Sequence, residues 1–315
     1  MIEKHNVPIL TISWLSSSYE GKSGIIETFY EPETIDELKD ICIKLYSDNL
    51  MFDVIGDTSN IYFHPEYNCP YMVSTRKIKN YSIEKDTIIC DCGVRVSSLS
   101  RKMIEMGFSG FEGLCDLPGT IGAAIFGNAS CYGCSINKLL KSVRVLVKSE
   151  KGIEIKELLK EDLRITTRST ILKRHEMEGV ILSATLELRK GNIDELKEIA
   201  NKCKLDRNAH HPGPKNNLGS IFATSRKKVF TGYLLKLFSW TISVFWIITK
   251  QNNIRQKRHL LELKLLRASE IAPYLHDWNR YVWKDKKAHD VFNKYVRAYK
   301  FIYGKKSKFE IIIKK

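Results

Sequence analysis

An α+β fold is predicted, and three observations predict it. Helical and strand-like segments alternate irregularly, no βαβ period is sustained, and no internal repeat appears along the chain. A doubly wound parallel sheet would need the regular alternation that is missing here. A length of 315 residues supports two or three domains with cores of their own. Hydrophobic residues at 43% and charged residues at 28% fit a folded, water-soluble protein.

In chain order, residues 34–46 read first as an amphipathic helix: Thr34 can cap it, Glu37 stands three residues on, and Leu38, Ile41, Cys42 and Leu45 share one face. Residues 51–63 have the form strand, turn, strand, with Asp57, Thr58 and Ser59 at the turn. A short helix precedes Gly107, which suits the left-handed residue past a helix end. Residues 143–147 and 180–186 are strands rich in β-branched side chains. Residues 194–203 are helical by pattern, and 203–217, with His210, His211, Pro212, Gly213 and Pro214, read as a linker at a domain boundary. In the last long helix Ala288, Val291, Phe292, Tyr295, Tyr299 and Ile302 form one apolar face that ends at Gly304, and residues 309–313 form a strand.

Charge divides the chain. The net charge is +15, yet residues 226–315 hold 22 Lys/Arg against 6 Asp/Glu, and everything before them is close to neutral. A basic C-terminal third suits an anionic partner, whether nucleic acid, a membrane surface or a phosphorylated substrate, and equally a solvated surface without one. No zinc-finger spacing or aromatic nucleic-acid strand accompanies it, so nucleic acid is not expected. The apolar run 237–249, flanked by Lys236 and Lys250, is too short to cross a bilayer and is expected to be a buried element, with an interfacial segment as the alternative.

The start of the chain has no basic region followed by a long apolar stretch, and the eight cysteines lack a disulfide framework, so reduced thiols and a cytoplasmic location are expected. Cys131 and Cys134 read as packing residues. His210 and His211 point in different directions without a third ligand, so no metal is expected.

Two segments carry chemistry. Residues 110–136 place glycine or alanine wherever backbone would approach a ligand, and Gly119, Gly122 and Gly127 leave room for main-chain N–H groups to meet an anion. The turn Gly56, Asp57, Thr58, Ser59, Asn60 is a second candidate anion cradle.

In this order and spacing the pair resembles the UDP-N-acetylenolpyruvoylglucosamine reductase family, within the vanillyl-alcohol-oxidase-like flavoproteins. That family carries a GGGSN-type turn followed by G-x-S-G-x-E, PGT-x-GGA and NAGAYG. Here the turn is Gly56 to Asn60, and the run is Gly107, Ser109, Gly110, Glu112, then Pro118, Gly119, Thr120, Gly122, then Asn128, Ala129, Tyr132 and Gly133. The resemblance implies two small FAD-binding subdomains, 1–75 and 76–205, followed by a basic substrate domain, 206–315. It makes the turn, Pro118, Gly119, Thr120, Gly122, Asn128, Ala129, Tyr132 and Gly133 the FAD-binding set.

Three further matches imply a catalytic group. The segment from Thr167 to Lys173 is similar to Y-R-x-S-x-x-K and gives Arg168 as the cation for the substrate carboxylate. Leu218 to Phe222 is similar to A/C-G-S-x-F and gives Ser220 as proton donor, and Phe309 to Ile312 gives Glu310 as the catalytic glutamate. His210 and Asn279 fall at substrate-facing positions. The implied activity is FAD-dependent, NADPH-driven reduction of UDP-N-acetylglucosamine-enolpyruvate to UDP-N-acetylmuramate for peptidoglycan, and a nucleotide sugar is the implied substrate.

Reduction of an enolpyruvyl ether builds carbanion character beside a carboxylate, so a cation in a water-poor site is worth several kcal/mol. A hydroxyl must then deliver a proton to the adjacent carbon. The departures are specific. Asp57 and Thr58 stand for glycines, Thr167 for the tyrosine and Thr170 for the serine, and 227–278 lacks the family's glycine-rich strand. These departures leave two other readings open: a flavin enzyme for another nucleotide sugar, or a degenerate FAD-binding module at a membrane, with peripheral membrane contact through the apolar run. No obligate protein partner is expected.

Overall fold

The computed structural model describes residues 2–213, 216–223, 229–249 and 252–315. Its helices longer than a single turn are α1 (Ile35–Ser47), α2 (Val96–Glu105), α3 (Ile121–Phe126), α4 (Ile193–His210), α5 (Phe230–Ile248), α6 (Ile254–Leu265) and α7 (Lys286–Tyr303). Contacts divide the chain into two units. Unit 1 comprises 1–13, 23–59 and 66–211, and unit 2 comprises 14–22, 60–65 and 212–315.

Unit 1 is α+β with two main sheets. The first orders the strands Ile2–Pro8, Ile25–Glu31, Cys69–Ser74 and Phe52–Ile55; its first pair is antiparallel and the others parallel. The second is wholly antiparallel, in the order Gly152–Leu159, Leu140–Ser149, Glu178–Glu187, Thr87–Asp91, Tyr81–Glu84. The first of these sheets lies within residues 1–75 and the second within 76–205, while residues 14–22 and 60–65 belong to unit 2.

Local signals explain the helices. Thr34 accepts from the Glu37 N–H at 3.2 Å while the Glu37 carboxylate reaches back to the Glu33 N–H at 2.9 Å, closing a capping box one residue wider than the usual pair. Leu38, Ile41, Cys42 and Leu45 are all buried against the core, which also takes Val96, Leu99 and Met103 of α2. Helix α4 runs to His210, so the segment read as a linker is helical for most of its first half, and the units part at His211. Asn192 caps α4 from its side-chain oxygen, and the continuous run without Gly or Pro from Ile193 to His210 gives nothing to stop it earlier.

Unit 2 is built on aromatic packing. Its small antiparallel sheet orders Asn217–Ser220, Arg280–Val282 and Leu275–Asp277; Phe222–Ala223 pairs with Lys308–Phe309, and Ile312–Lys314 runs parallel to Ile61–Phe63. The C-terminal strand expected at 309–313 is thus two short strands with different partners. Tyr62, Phe222, Tyr281, Trp283, Tyr295 and Tyr299 are fully buried, and Phe222 stacks on Tyr299 with ring centroids 3.8 Å apart. Each such ring contributes about 2–3 kcal/mol through burial. The predicted face of α7 is the one that packs inward.

Candidate cofactor and active site

Two glycine-rich segments far apart in sequence meet in unit 1. Residues 92–96 and 119–122 zip together: Val96 N–H donates to Gly119 O at 3.0 Å, Ile121 N–H to Val94 O at 2.8 Å, and Gly122 N–H to Cys92 O at 2.8 Å. This fixes Thr120 beside the turn that follows the Phe52–Ile55 strand. A Cβ on Gly56 would lie 2.4 Å from Thr120 Oγ1, so this approach requires glycine. Gly119 takes φ +118°, and a Cβ there would meet Ser59 Oγ at 3.4 Å.

The turn itself departs from its glycine-rich counterpart in an ordered way. Thr58 holds φ +57°, a costly value for a β-branched residue, and its hydroxyl offsets part of that by donating to Ile12 O at 3.1 Å. Asp57 does not enter the left-handed region. Its nearly buried carboxylate faces Arg95 Nε at 3.3 Å and Arg76 Nε at 3.9 Å. Arg76 also donates to Gly56 O at 3.0 Å and to Thr58 Oγ1 at 3.2 Å. The charge that Asp57 brings to the turn is therefore matched by two guanidinium groups, neither of which sequence pattern marks. Only the strand pairing that brings 76 and 95 to residue 57 reveals them.

The residues fit a flavin dinucleotide. Thr120 Oγ1 is buried and has no hydrogen-bond partner among the described residues, an orphan that a bound polar group would satisfy. Arg95, with its side chain 60% exposed, is a cation available to a diphosphate.

The remaining cofactor-set residues are held in place. Asn128, at φ +45°, donates to Thr166 O at 2.8 Å and accepts from Ser135 Oγ and from Asn137 Nδ2. Tyr132 and Gly133 both take positive φ at the tip of the hairpin that pairs Cys131 with Cys134. The Tyr132 hydroxyl donates to Asp206 Oδ2 at 2.9 Å, and burial, with that carboxylate, pushes the phenol up to about 12. Pro118 leads into the zipped segment, and the Ala129 N–H donates to Ala124 O at 2.8 Å, closing the end of α3. Arg168 sits in a tight turn closed by Thr166 and Ser169, at φ +58°; it donates to Ser130 O at 3.2 Å, and Lys173 Nζ donates to the Arg168 carbonyl at 3.1 Å. Thr170, in place of the serine, is buried with its hydroxyl on Phe126 O at 2.9 Å.

In unit 2, Ser220 and Glu310 are brought together through Ile221, whose carbonyl accepts from the Glu310 N–H at 2.8 Å. Ser220 follows Gly219 at φ +73°, and its hydroxyl has no hydrogen-bond partner among the described residues. Asn60 belongs to this unit: its amide donates to Glu310 O at 3.2 Å and its carbonyl accepts from the Ile312 N–H at 2.9 Å. Asn279, expected to face substrate, has its side chain engaged by the main chain. Its Oδ1 accepts from Phe222 N–H at 2.8 Å, its Nδ2 donates to Phe222 O at 3.0 Å, and its own carbonyl accepts from Ile221 N–H at 2.9 Å. With both ends of the amide used, Asn279 is a clamp that positions the residues after Ser220. His210 ends α4 in unit 1, exposed, with Nδ1 at 2.9 Å from Asp206 Oδ1.

Comparison with known proteins accords with this geometry. Residues 26–155 match the FAD binding domain family model. A UDP-N-acetylenolpyruvoylglucosamine reductase of Alkaliphilus oremlandii is 31% identical over 194 residues, covering 61% of this chain and 62% of that protein. One from Oceanobacillus iheyensis is 26% identical over 205 residues, covering 65% of each. The crystal structure of the enzyme of that name from Thermus caldophilus superposes with a TM-score of 0.67 at 16% identity, covering 99% of both chains, which shows a shared fold. The chain is similar in sequence to these reductases over about two thirds of its length and shares the fold of one of them. The match spans under two thirds of the length of these curated relatives, while the fold is shared throughout. Unit 1 thus contains an FAD-binding domain, and Asp57 and Thr58 stand in it where the family motif carries glycine.

Proposed function

We propose that the protein is an FAD-dependent oxidoreductase that uses NADPH to reduce UDP-N-acetylglucosamine-enolpyruvate to UDP-N-acetylmuramate in the cytoplasm. The observation that carries this reading is the meeting of the Gly56 turn with the Pro118 to Gly122 segment around the unpartnered Thr120 hydroxyl. Bound FAD, once reduced by NADPH, supplies the hydride. The chain does the rest. Arg168 orients the substrate carboxylate and stabilises the charge that delocalises into it, an effect of several kcal/mol in a dry site. Glu310 serves as the catalytic glutamate beside Ser220 in unit 2. Ser220, with no partner for its hydroxyl among the described residues, donates the proton, and Asn279 and Asn60 hold the main chain on either side of the Ser220 and Glu310 positions. The basic residues of unit 2 favour a nucleotide diphosphate.

Stopped-flow reoxidation of the reduced flavin tests this directly. Addition of UDP-N-acetylglucosamine-enolpyruvate restores the oxidised flavin spectrum in the wild type. In Ser220→Ala the rate falls by about 100-fold or more, the size of a lost general acid, while substrate affinity changes little. An unchanged rate removes Ser220 as proton donor. No reoxidation of the wild type by this substrate overturns the assignment.

A further inference from the structure

Helix α5 is inside-out. Its inward face carries Gly232, Leu235, Ser239 and Ser243, all buried. Gly232 lies so close to α7 that a Cβ would fall 2.2 Å from Ile302 O. Ser239 Oγ donates to Glu262 Oε1 of α6 at 2.8 Å and Ser243 Oγ to Ser239 O at 2.6 Å. Glu262 is fully buried and is also bound by Lys236. The small and polar residues of α5 thus point at protein. Its large apolar residues point away: Phe230 is 76% exposed, Tyr233 57%, Leu237 59%, Trp240 55% and Ile247 58%. At 100° per residue these positions, with Leu234 and Phe238, fill one side of the helix. The expectation that 237–249 is a buried element is corrected accordingly. Gly232, Ser239 and Ser243 face the protein, and most of the bulky described residues are left outside.

An apolar side this wide signals a non-aqueous neighbour. No helix among the described residues is long and apolar enough to cross a membrane. One face of α5 is also covered by α6 and α7, so lipid cannot surround it. Charge selects between the occupants that remain. From Arg226 to Arg267 the sequence holds ten Lys/Arg and one Asp/Glu, the buried Glu262. Pairing with a second copy would bring two such strongly basic segments together, whereas an anionic lipid surface complements their net charge. Trp240 and Tyr233 are residue types that settle at the headgroup level.

We propose that the outward face of α5 docks this protein onto anionic lipid, with the helix lying in the membrane interface. This docking is independent of the flavin chemistry and rests on unit 2 alone.

Flotation with vesicles of phosphatidylcholine, with and without phosphatidylglycerol, tests it on the full chain. The protein floats with the phosphatidylglycerol vesicles and stays behind with phosphatidylcholine alone, and rising salt weakens the association. Replacing Leu237, Phe238 and Trp240 by serine lowers the floated fraction about tenfold or more, with helical circular dichroism retained because all three are exposed. Lys227→Glu with Lys228→Glu, just before α5 in sequence, weakens flotation and changes no residue of α5 itself. Equal flotation with both vesicle types overturns the choice of anionic lipid. Flotation of the triple-serine variant at the wild-type level overturns the choice of face. A dimer in light scattering that ignores vesicles, and that the triple variant returns to monomer, overturns the proposal in favour of a second copy.

Discussion

The turn at Gly56 to Ser59 in unit 1 and the α5–α6 pair in unit 2 each bury a carboxylate, and they handle it differently. Asp57 is set between two arginines at the edge of a cradle, with Arg95 still largely in solvent. Glu262 is sealed between helices, bound by Lys236 and Ser239 and out of reach of solvent. A charge near the surface is tuned by what it competes for. A charge in the interior is tuned by whether its partner stays. The first arrangement belongs to binding, and the second to the architecture that leaves the apolar side of α5 free.

Lys236→Met separates the two arrangements most strongly. It leaves Glu262 buried without its cation, and unit 2 should lose about 3–5 kcal/mol, measured by urea denaturation followed through the tryptophans. A loss below about 1 kcal/mol would mean that Ser239 suffices and that the two carboxylates are alike.

Next in size is a pH effect confined to unit 2. His289 of α7 is buried, 2.9 Å from Ser18 Oγ, and burial holds its imidazole down at about 4. The unfolded chain takes up that proton near the ordinary value of about 6.5, so stability is full above that pH and falls between there and about 4, by about 3 kcal/mol in all. His289→Gln should flatten that part of the curve. If denaturation midpoints stay level from about pH 7 to about pH 4, the buried neutral imidazole is not what limits unit 2.

In unit 1, Gly56→Ala forces a Cβ against Thr120 and should cost about 1–3 kcal/mol, with flavin lost on gel filtration. Retained flavin at wild-type stoichiometry would show that Thr120 can swing away, and the cradle would be looser than its contacts indicate.

Asp57→Asn is the smallest step. It frees Arg95 from its ion pair, and FAD affinity by fluorescence titration should rise about tenfold with a steeper salt dependence. Unchanged affinity would mean that Arg95 does not compete between Asp57 and the diphosphate.

Much of this is legible in the residues alone. The helix face of α7 and the cap at Thr34 follow from 3.6-residue periodicity and side-chain chemistry, which act over one or two turns. The glycine-rich segments are legible because backbone approach to an anion restricts residue type at each position. Asn279 is not. Its residue type suits a ligand as well as a clamp, and only the return of Phe222 beside it decides between them. Within the segment 203–217 read as a linker, helix α4 runs on to His210, because histidines before a proline resemble a loop yet nothing in them breaks a helix.

Short-range backbone and side-chain preferences are enough to establish the α+β class and to mark two glycine-rich segments as candidate cradles, while Ser220 is marked only by the family resemblance. They are silent on three points that the folded chain settles: that Arg76 and Arg95 neutralise Asp57, that Asn60 and Glu310 meet at one strand pairing, and that α5 turns its serines inward and its aromatics out. Each of these depends on which distant segments become neighbours. Hydrophobic periodicity reports that a helix has two faces, but what lies against each face is set by the rest of the chain.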